Sequence, residues 1–220
     1  IKQSYDAVGN IISSTDEAGF VTHYFYDKSG QLLEKENSDG SKIYYKYDKN
    51  GNLISESTGI FVTEYEYSDL NKVTVTKKGG IVVSTKGYDN AGNLVTDSDG
   101  RGSITTYQYD LKSRLLKKIY PTGDFESFTY DSNGNIVAKV NAAGGTTSFI
   151  FDSLDRIIEK RDELTQLWKY TFDSIGNLTK LTDPNNKEEN YTWDILGRKI
   201  SVSKTSLELG TITESYEYDL

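Results

Sequence analysis

Two stretches space side-chain oxygens in the way that the opening of a calcium loop does: Asp48-Lys49-Asn50-Gly51-Asn52 and Asp131-Ser132-Asn133-Gly134-Asn135. An EF-hand loop also needs Gly at its sixth position and Glu at its twelfth. Leu53 and Ile136 occupy the sixth position here, which argues against calcium and for a turn. Asp97-Ser98-Asp99-Gly100 fails as well, because Arg101 stands at the fifth position and Gln108, not Glu, at the twelfth. His23 is the single histidine and there is no Cys, so neither a His/Cys zinc cluster nor a Cys–His nucleophile can be assembled. No spacing of Ser, His23 and Asp supports acyl transfer. Asn177-Leu178-Thr179 and Asn190-Tyr191-Thr192 match the glycosylation acceptor pattern, a short and weak signal. The expectation is a chain with no catalytic residue, no metal ligand and no cofactor.

The same residues make structural sense once their recurrence is seen. The pattern aromatic-Asp-x-x-Gly-Asn/Arg-aliphatic begins at Tyr5, Tyr26, Tyr47, Tyr88, Tyr109, Tyr130, Phe151, Phe172 and Trp193. A degenerate copy begins at Tyr67, with Ser68 for Asp and Asn71 for Gly, and a last one opens at Tyr218. The steps between successive aromatics are 21, 21, 20, 21, 21, 21, 21, 21, 21 and 25 residues. A period held this closely marks a repeat architecture.

Within one unit, Thr22, Tyr24 and Tyr26 share a strand face by two-residue alternation, while His23 lies on the other, mostly polar face. Of the 17 Tyr, eight occupy the motif slot and seven sit two residues before it. Tyr44 and Tyr120 lie outside both slots. This reads as an aromatic face repeated strand after strand. Asp27-Lys28-Ser29-Gly30 reads as a type I turn ending in a G1 bulge: Asp bonds its own backbone two residues on, and Gly supplies positive φ. The glycine slot holds Gly9, Gly30, Gly51, Gly92, Gly134, Gly176 and Gly197, with Asn71, Ser113 and Asp155 as the three exceptions. The return strand opens on an aliphatic pair, such as Leu32-Leu33 or Leu115-Leu116. Adjacent residues point to opposite faces, so this end is expected to be covered on both sides. A second turn closes the unit, as in Asn37-Ser38-Asp39-Gly40, and both prolines, Pro121 and Pro184, fall within it. This loop is expected to be shortened around Gly59 and lengthened between Lys204 and Gly210.

The fold class that follows is all-β: antiparallel hairpins, about ten in residues 1–220, as one array. Roughly twenty strands at ~4.8 Å each would span on the order of 95 Å. Sheets of more than ~10 strands usually curl, split or close, so a spiral sheet or an arc of a hollow shell is expected. The formal net charge of -8 and the lack of a Lys/Arg cluster disfavour nucleic acid as a partner. No apolar run approaches the ~18 residues of a membrane span. The absence of Cys fits a bacterial surface or cytosolic protein. Starting and stopping within repeats suggests an internal piece of a longer protein, whose cut edge strands are a hazard for self-association.

Tyr-Asp-x-x-Gly-Asn/Arg-Leu, then Thr-Asp-x-x-Gly, then Thr-x-Tyr-x-Tyr-Asp resembles the YD repeat of Rhs proteins. The same repeat occurs in the B and C components of insecticidal toxin complexes, in bacterial wall-associated proteins and in teneurins. The resemblance covers the whole chain. It implies a strip of hairpins wound into a shell that, in bacterial relatives, encloses a C-terminal toxic domain. It also implies a secreted or cell-surface bacterial protein. The terminal segment that carries an aspartyl autoprotease in such proteins has no counterpart here. Asp183-Pro184 sits in an ordinary repeat turn, so no catalytic residue is carried over.

The expected function is structural: a stretch of encapsulating wall whose partners are the rest of its shell and the enclosed C-terminal domain. The alternative is a surface adhesion module that binds a glycan or protein through exposed aromatics. A binding site usually breaks repeat symmetry. Trp168, which replaces a small residue or Thr, and Trp193 are therefore the candidate ligand platform.

Overall fold

The computed structural model describes residues 1–206 and 210–219. The chain divides into two compact units, Ile1–Tyr107 and Gln108–Leu220. The first holds β1 (Lys2–Tyr5), β2 (Ile11–Thr15), β3 (Val21–Tyr26), β4 (Leu32–Glu36), β5 (Lys42–Tyr47), β6 (Leu53–Ser57), β7 (Val62–Tyr67), β8 (Val73–Lys78), β9 (Ile81–Tyr88) and β10 (Leu94–Asp99). Strand β11 (Ile104–Tyr109) begins in the first unit and ends in the second. The second unit continues with β12 (Leu115–Ile119), β13 (Phe125–Tyr130), β14 (Ile136–Val140), β15 (Thr146–Phe151), β16 (Ile157–Arg161), β17 (Leu167–Phe172), β18 (Leu178–Thr182), β19 (Glu188–Trp193), β20 (Lys199–Ser206) and β21 (Gly210–Ser215). Each unit is a run of antiparallel hairpins, and the described residues contain no helix.

The motif turn is built as its residue types demand. In the first copy Gly9 N donates to Asp6 O at 3.3 Å and Asp6 N donates to Asn10 O at 2.9 Å. This is a type I turn closed by a bulge. All ten glycine slots take positive φ. The glycines range from 75° at Gly197 to 103° at Gly134, while Asn71, Ser113 and Asp155 hold 56°, 60° and 59°. A side chain confines φ to the narrow left-handed well near +57°, whereas glycine spreads beyond it.

The far end of most hairpins, expected only as a closing turn, repeats this chemistry. Gly19 N bonds Asp16 O, Gly40 N bonds Asn37 O, Gly102 N bonds Asp99 O and Gly144 N bonds Asn141 O. Pro121 and Pro184 each take the first corner of such a turn, where fixed φ helps. The turn after β10 is anchored on Asp99, with Gly102 at positive φ. One connection differs: Gly79 and Gly80, both at positive φ (56° and 79°), form the two-residue primed turn between β8 and β9. The loop at Gly59 is short, Thr58 N reaching Phe61 O at 3.0 Å. The expected lengthening after Lys204 is taken up partly in strand rather than loop. Lys204, Thr205 and Ser206 pair with Ile212, Thr211 and Gly210, while residues 207–209 lie outside the described residues.

Register explains the aliphatic pair. Tyr26 pairs with Leu32, Tyr47 with Leu53, Tyr130 with Ile136 and Phe172 with Leu178, each with a shift at the preceding step. The bulge sets the first aliphatic opposite the motif aromatic and leaves the second as the extra residue. The expectation that both would be covered holds at Ile54, Val95, Val137 and Ile158, which are half-buried, and fails at Ile12, Leu33 and Leu116, which are exposed. Leu32 is half-buried, but Leu33 is 43% exposed.

Each unit is a single layer, in which strands touch only their sequence neighbours. Among the described residues only Val202 and Thr147 fall in the fully buried class. The accessible surface is 15021 Å² for 24.7 kDa, against roughly 10,000 Å² for a compact chain of that mass. The faces are nevertheless distinct. Thr22, Tyr24 and Tyr26 are half-buried, while His23 and Phe25 are exposed.

Thr165 is a β-branched residue held at φ 65°, a conformation that strains such a side chain. Replacing it with glycine is expected to raise stability by about 1 kcal/mol, read as a higher urea midpoint at unchanged slope. Gly176→Val, at φ 100°, is expected to lower the midpoint by at least as much.

Candidate functional site

The candidate site is the row of motif turns and the aromatic face that it carries. Each turn is held by one carboxylate, except that at Ser68, whose hydroxyl accepts Leu70 N and Lys72 N. Asp89 Oδ1 accepts Ala91 N at 3.0 Å and Asn93 N at 2.8 Å, and its Oδ2 accepts Asn93 Nδ2 at 2.9 Å. Asp6, Asp48 and Asp173 repeat the arrangement with Asn10, Asn52 and Asn177. Where Arg follows, the guanidinium takes the amide's place. Arg114 Nε lies 2.7 Å from Asp110 Oδ2, Arg156 Nε 2.7 Å from Asp152 Oδ2, and Arg198 Nε 2.6 Å from Asp194 Oδ2. These bonds favour the charged form. The Asn52, Asn93 and Arg156 side chains hold Asp48, Asp89 and Asp152 below the usual carboxylate range. Backbone donation from Arg114 and Arg198 leads the same shift at Asp110 and Asp194.

Successive hairpins are tied at this margin by side chains. Strand pairing between hairpins covers three residues at most junctions, as in Ser13–His23, Ser14–Thr22 and Thr15–Val21. Beyond it, toward the motif turns, the aromatic tip bridges the gap. Tyr26 donates its hydroxyl to Ile11 O at 2.9 Å, Tyr67 to Leu53 O at 2.7 Å, Tyr88 to Val73 O at 3.0 Å and Tyr130 to Leu115 O at 2.9 Å. Trp193 does the same with its indole N–H, at 2.7 Å from Leu178 O. Tyr218 bonds Lys199 O at 2.8 Å. Tyr5 turns instead to Gln3, and Phe151 and Phe172 have no polar tip.

The turns are also linked directly. Arg114 reaches Asp131 O at 3.1 Å and stacks 4.6 Å from the Tyr130 ring. Arg156 does so with Asp173 and Phe172, and Arg198 with Asp219 and Tyr218. Where the neighbouring turn lacks glycine, its side chain accepts the link. Asn52 Nδ2 donates to Asn71 Oδ1 at 2.8 Å, and Asn135 Nδ2 to Asp155 Oδ1 at 2.6 Å. These hydrogen bonds span 17 to 21 residues, which is why the residue types alone did not reveal them.

Trp168 and Trp193 do not form one patch. Trp168 stands at the start of β17 and Trp193 at the end of β19, opposite strand ends with β18 between them. Trp168 carries Lys160 Nζ 4.8 Å from its ring centroid, and Trp193 is a rung of the ladder. His23 is exposed. Asn177 is committed to its turn, whereas Asn190 is exposed in mid-strand. Among the described residues no group of three or more His, Cys, Asp or Glu could hold a metal ion. A crevice of about 210 Å³ lies on the aromatic side of the second unit, lined by Glu126, Phe128, Lys139, Asn141, Thr147 and Glu163. The absence of a Cβ at Gly145 leaves room there for the Glu163 carboxylate.

The teneurin YD-shell family model matches residues 91–220, and the RHS repeat model matches residues 5–42. The crystal structure of TcdB2-TccC3-Cdc42 is similar over 99% of this chain and 17% of its own, at 12% identity and a TM-score of 0.50. The Photorhabdus luminescens Tc holotoxin pore is similar over 97% of this chain and 16% of its own, at 14% identity and a TM-score of 0.47. The chain thus spans about a sixth of the length of these structures. No curated protein sequence matches it significantly.

Two outcomes are expected. Tyr130→Phe removes the donor to Leu115 O and is expected to cost about 0.5–1.5 kcal/mol in denaturant unfolding. The second concerns pH. Asp48, Asp89, Asp110, Asp152 and Asp194 ionise more readily folded than unfolded, so their stabilisation is complete above the ordinary Asp range, near pH 4, and is lost as pH falls through the lowered folded values. The thermal midpoint should hold steady from neutrality to about pH 5 and drop in stronger acid. Asp152→Asn should start lower at neutral pH and decline less steeply in acid.

Proposed function

We propose that this chain, which belongs to the teneurin YD-shell family, serves as one stretch of the wall of a hollow protein shell. The observation that carries the reading is the single layer. A sheet with two distinct faces, one lined by half-buried aromatics, leaves about half again as much surface open as a compact chain would. A wall has this property, because what it surrounds lies against one side. The turn margins agree with that role. Their carboxylates, amides and guanidinium groups are spent on holding turns and joining neighbours, which leaves a mechanical part rather than a reacting one.

The finer reading follows the resemblance to bacterial toxin complexes. The parent protein is secreted or displayed at the cell surface, and the wall encloses a C-terminal effector domain until delivery. The wall itself has no enzymatic activity, binds no cofactor and engages the remainder of its own shell along its strand edges. The separation of Trp168 from Trp193 gives the adhesion alternative no shared platform on which to bind a sugar.

The test uses the full-length parent. Added protease is expected to spare the segment C-terminal to the repeats in the intact protein and to degrade it when the wall is opened by paired Gly→Val changes at Gly134 and Gly176. Equal cleavage of that segment in both proteins would sink the encapsulation reading. A strong, specific response of the repeat array on a glycan array would support adhesion instead.

A further inference from the structure

The two calcium-like stretches also contain the dipeptides Asn50-Gly51 and Asn133-Gly134. Asn-Gly is the sequence most open to spontaneous deamidation. The glycine nitrogen attacks the Asn side-chain Cγ, ammonia leaves and a succinimide closes. Water then opens the ring to aspartate or isoaspartate. Glycine favours the attack because it has no Cβ to crowd the ring. The attacking nitrogen must lose its proton and leave whatever hydrogen bond it makes, so that bond sets how far the fold restrains the reaction.

Both asparagines are exposed at turn tips, but their turns hold them differently. Gly51 N donates to the neutral carbonyl of Asp48 at 3.1 Å, while the Asp48 Oδ1 is taken by Asn50 N and Asn52 N. Gly134 N instead donates to the Asp131 carboxylate at 2.8 Å, with Asp131 O at 3.3 Å. A charge-assisted bond is the stronger restraint. The side chains follow the same order. Asn50 Nδ2 stands 3.4 Å from the amide oxygen of Asn71, whereas Asn133 Nδ2 donates at 2.8 Å to the Asp155 carboxylate of the next turn.

We propose that Asn50 is a spontaneous deamidation site of the folded protein, and that Asn133, in the same dipeptide, is shielded by the carboxylates of Asp131 and Asp155. The products would differ as well. A new carboxylate at 50 meets a neutral amide, but one at 133 would face Asp155 and set two like charges across the link between turns.

The experiment incubates the folded chain at mildly alkaline pH and follows both sites by peptide mass spectrometry, in buffer and in concentrated urea. Asn50 is expected to deamidate several-fold faster than Asn133 in buffer, and the two are expected to converge in urea. Asp155→Gly, which suits the left-handed backbone at 155 (φ 59°), is expected to raise the Asn133 rate toward that of Asn50. Equal rates in buffer would overturn the proposal, as would a ratio that persists in urea. An Asn133 rate unchanged by Asp155→Gly would overturn the shielding by Asp155.

Discussion

One carboxylate oxygen accepting two backbone N–H groups is the constraint on which the hairpins depend. Asp89 Oδ1 binds the nitrogens two and four residues on, which fixes the chain through the first corner and past the positive-φ residue. Without such an acceptor those donors would face outward at a turn tip, where water competes for them. With it, the turn has one shape and the register of the following strand is decided. The motif aromatic then lies opposite the first aliphatic of the return strand, and the bulge ejects the second. Leu33 at 43% exposure and half-buried Leu32 are consequences of Asp27 two residues before the bend is complete.

The turn also governs how one hairpin meets the next. At most junctions pairing between hairpins runs for three residues and then stops, so the margin that carries the motif turns needs other fastenings. The tyrosine hydroxyl supplies one, reaching the carbonyl at the start of the preceding return strand. Charge and amide chemistry supply another, and its form follows the residue after the positive-φ position. An Arg at 114, 156 or 198 clamps its own Asp and extends to the next turn. An Asn at 52 or 135 reaches only as far as a neighbour that has a side chain to offer, which is why Asn71 and Asp155 stand where glycine would be easier on the backbone. Strain at those two positions is offset by a bond that glycine could not make.

Legibility in the sequence divides along this line between local and distant. The turn type, the positive-φ slots, the placement of both prolines and the alternation of aromatic and polar faces rest on residues within a few positions of each other. They could be read from Asp, Gly, Pro and Tyr alone. The tie from Tyr130 to Leu115, or from Arg114 to Asp131, depends on which strand lies next to which and on how far pairing runs before it stops. Neither is encoded in a residue type. The exposure of Ile12, Leu33 and Leu116 escapes residue types for a related reason: plain alternation assumes an unbroken strand, and the bulge breaks it. Trp168 and Trp193 looked alike as departures from the repeat, yet one opens a strand and the other closes one. The identity of the far turn with the motif turn was readable, since Asp16, Asp99 and Asp162 carry the same spacing, but the strong aromatic before the motif drew the eye to one edge.

A repeat of this kind cannot stabilise itself by enclosing a core, because each hairpin offers a face and no second layer. Its cohesion is lateral instead. Strand ladders, aromatic tips and turn-to-turn bonds all run along the sheet, from one hairpin to its neighbours, so the loss of one rung is felt mainly by adjacent units. The aromatic side chains share one face but stay half-open to whatever faces them. That combination suits a wall better than a receptor. A receptor needs a local departure in which a few groups converge, and the departures here, such as Gly79-Gly80, Asn71, Asp155 and the lengthened β20–β21 pair, adjust how hairpins connect.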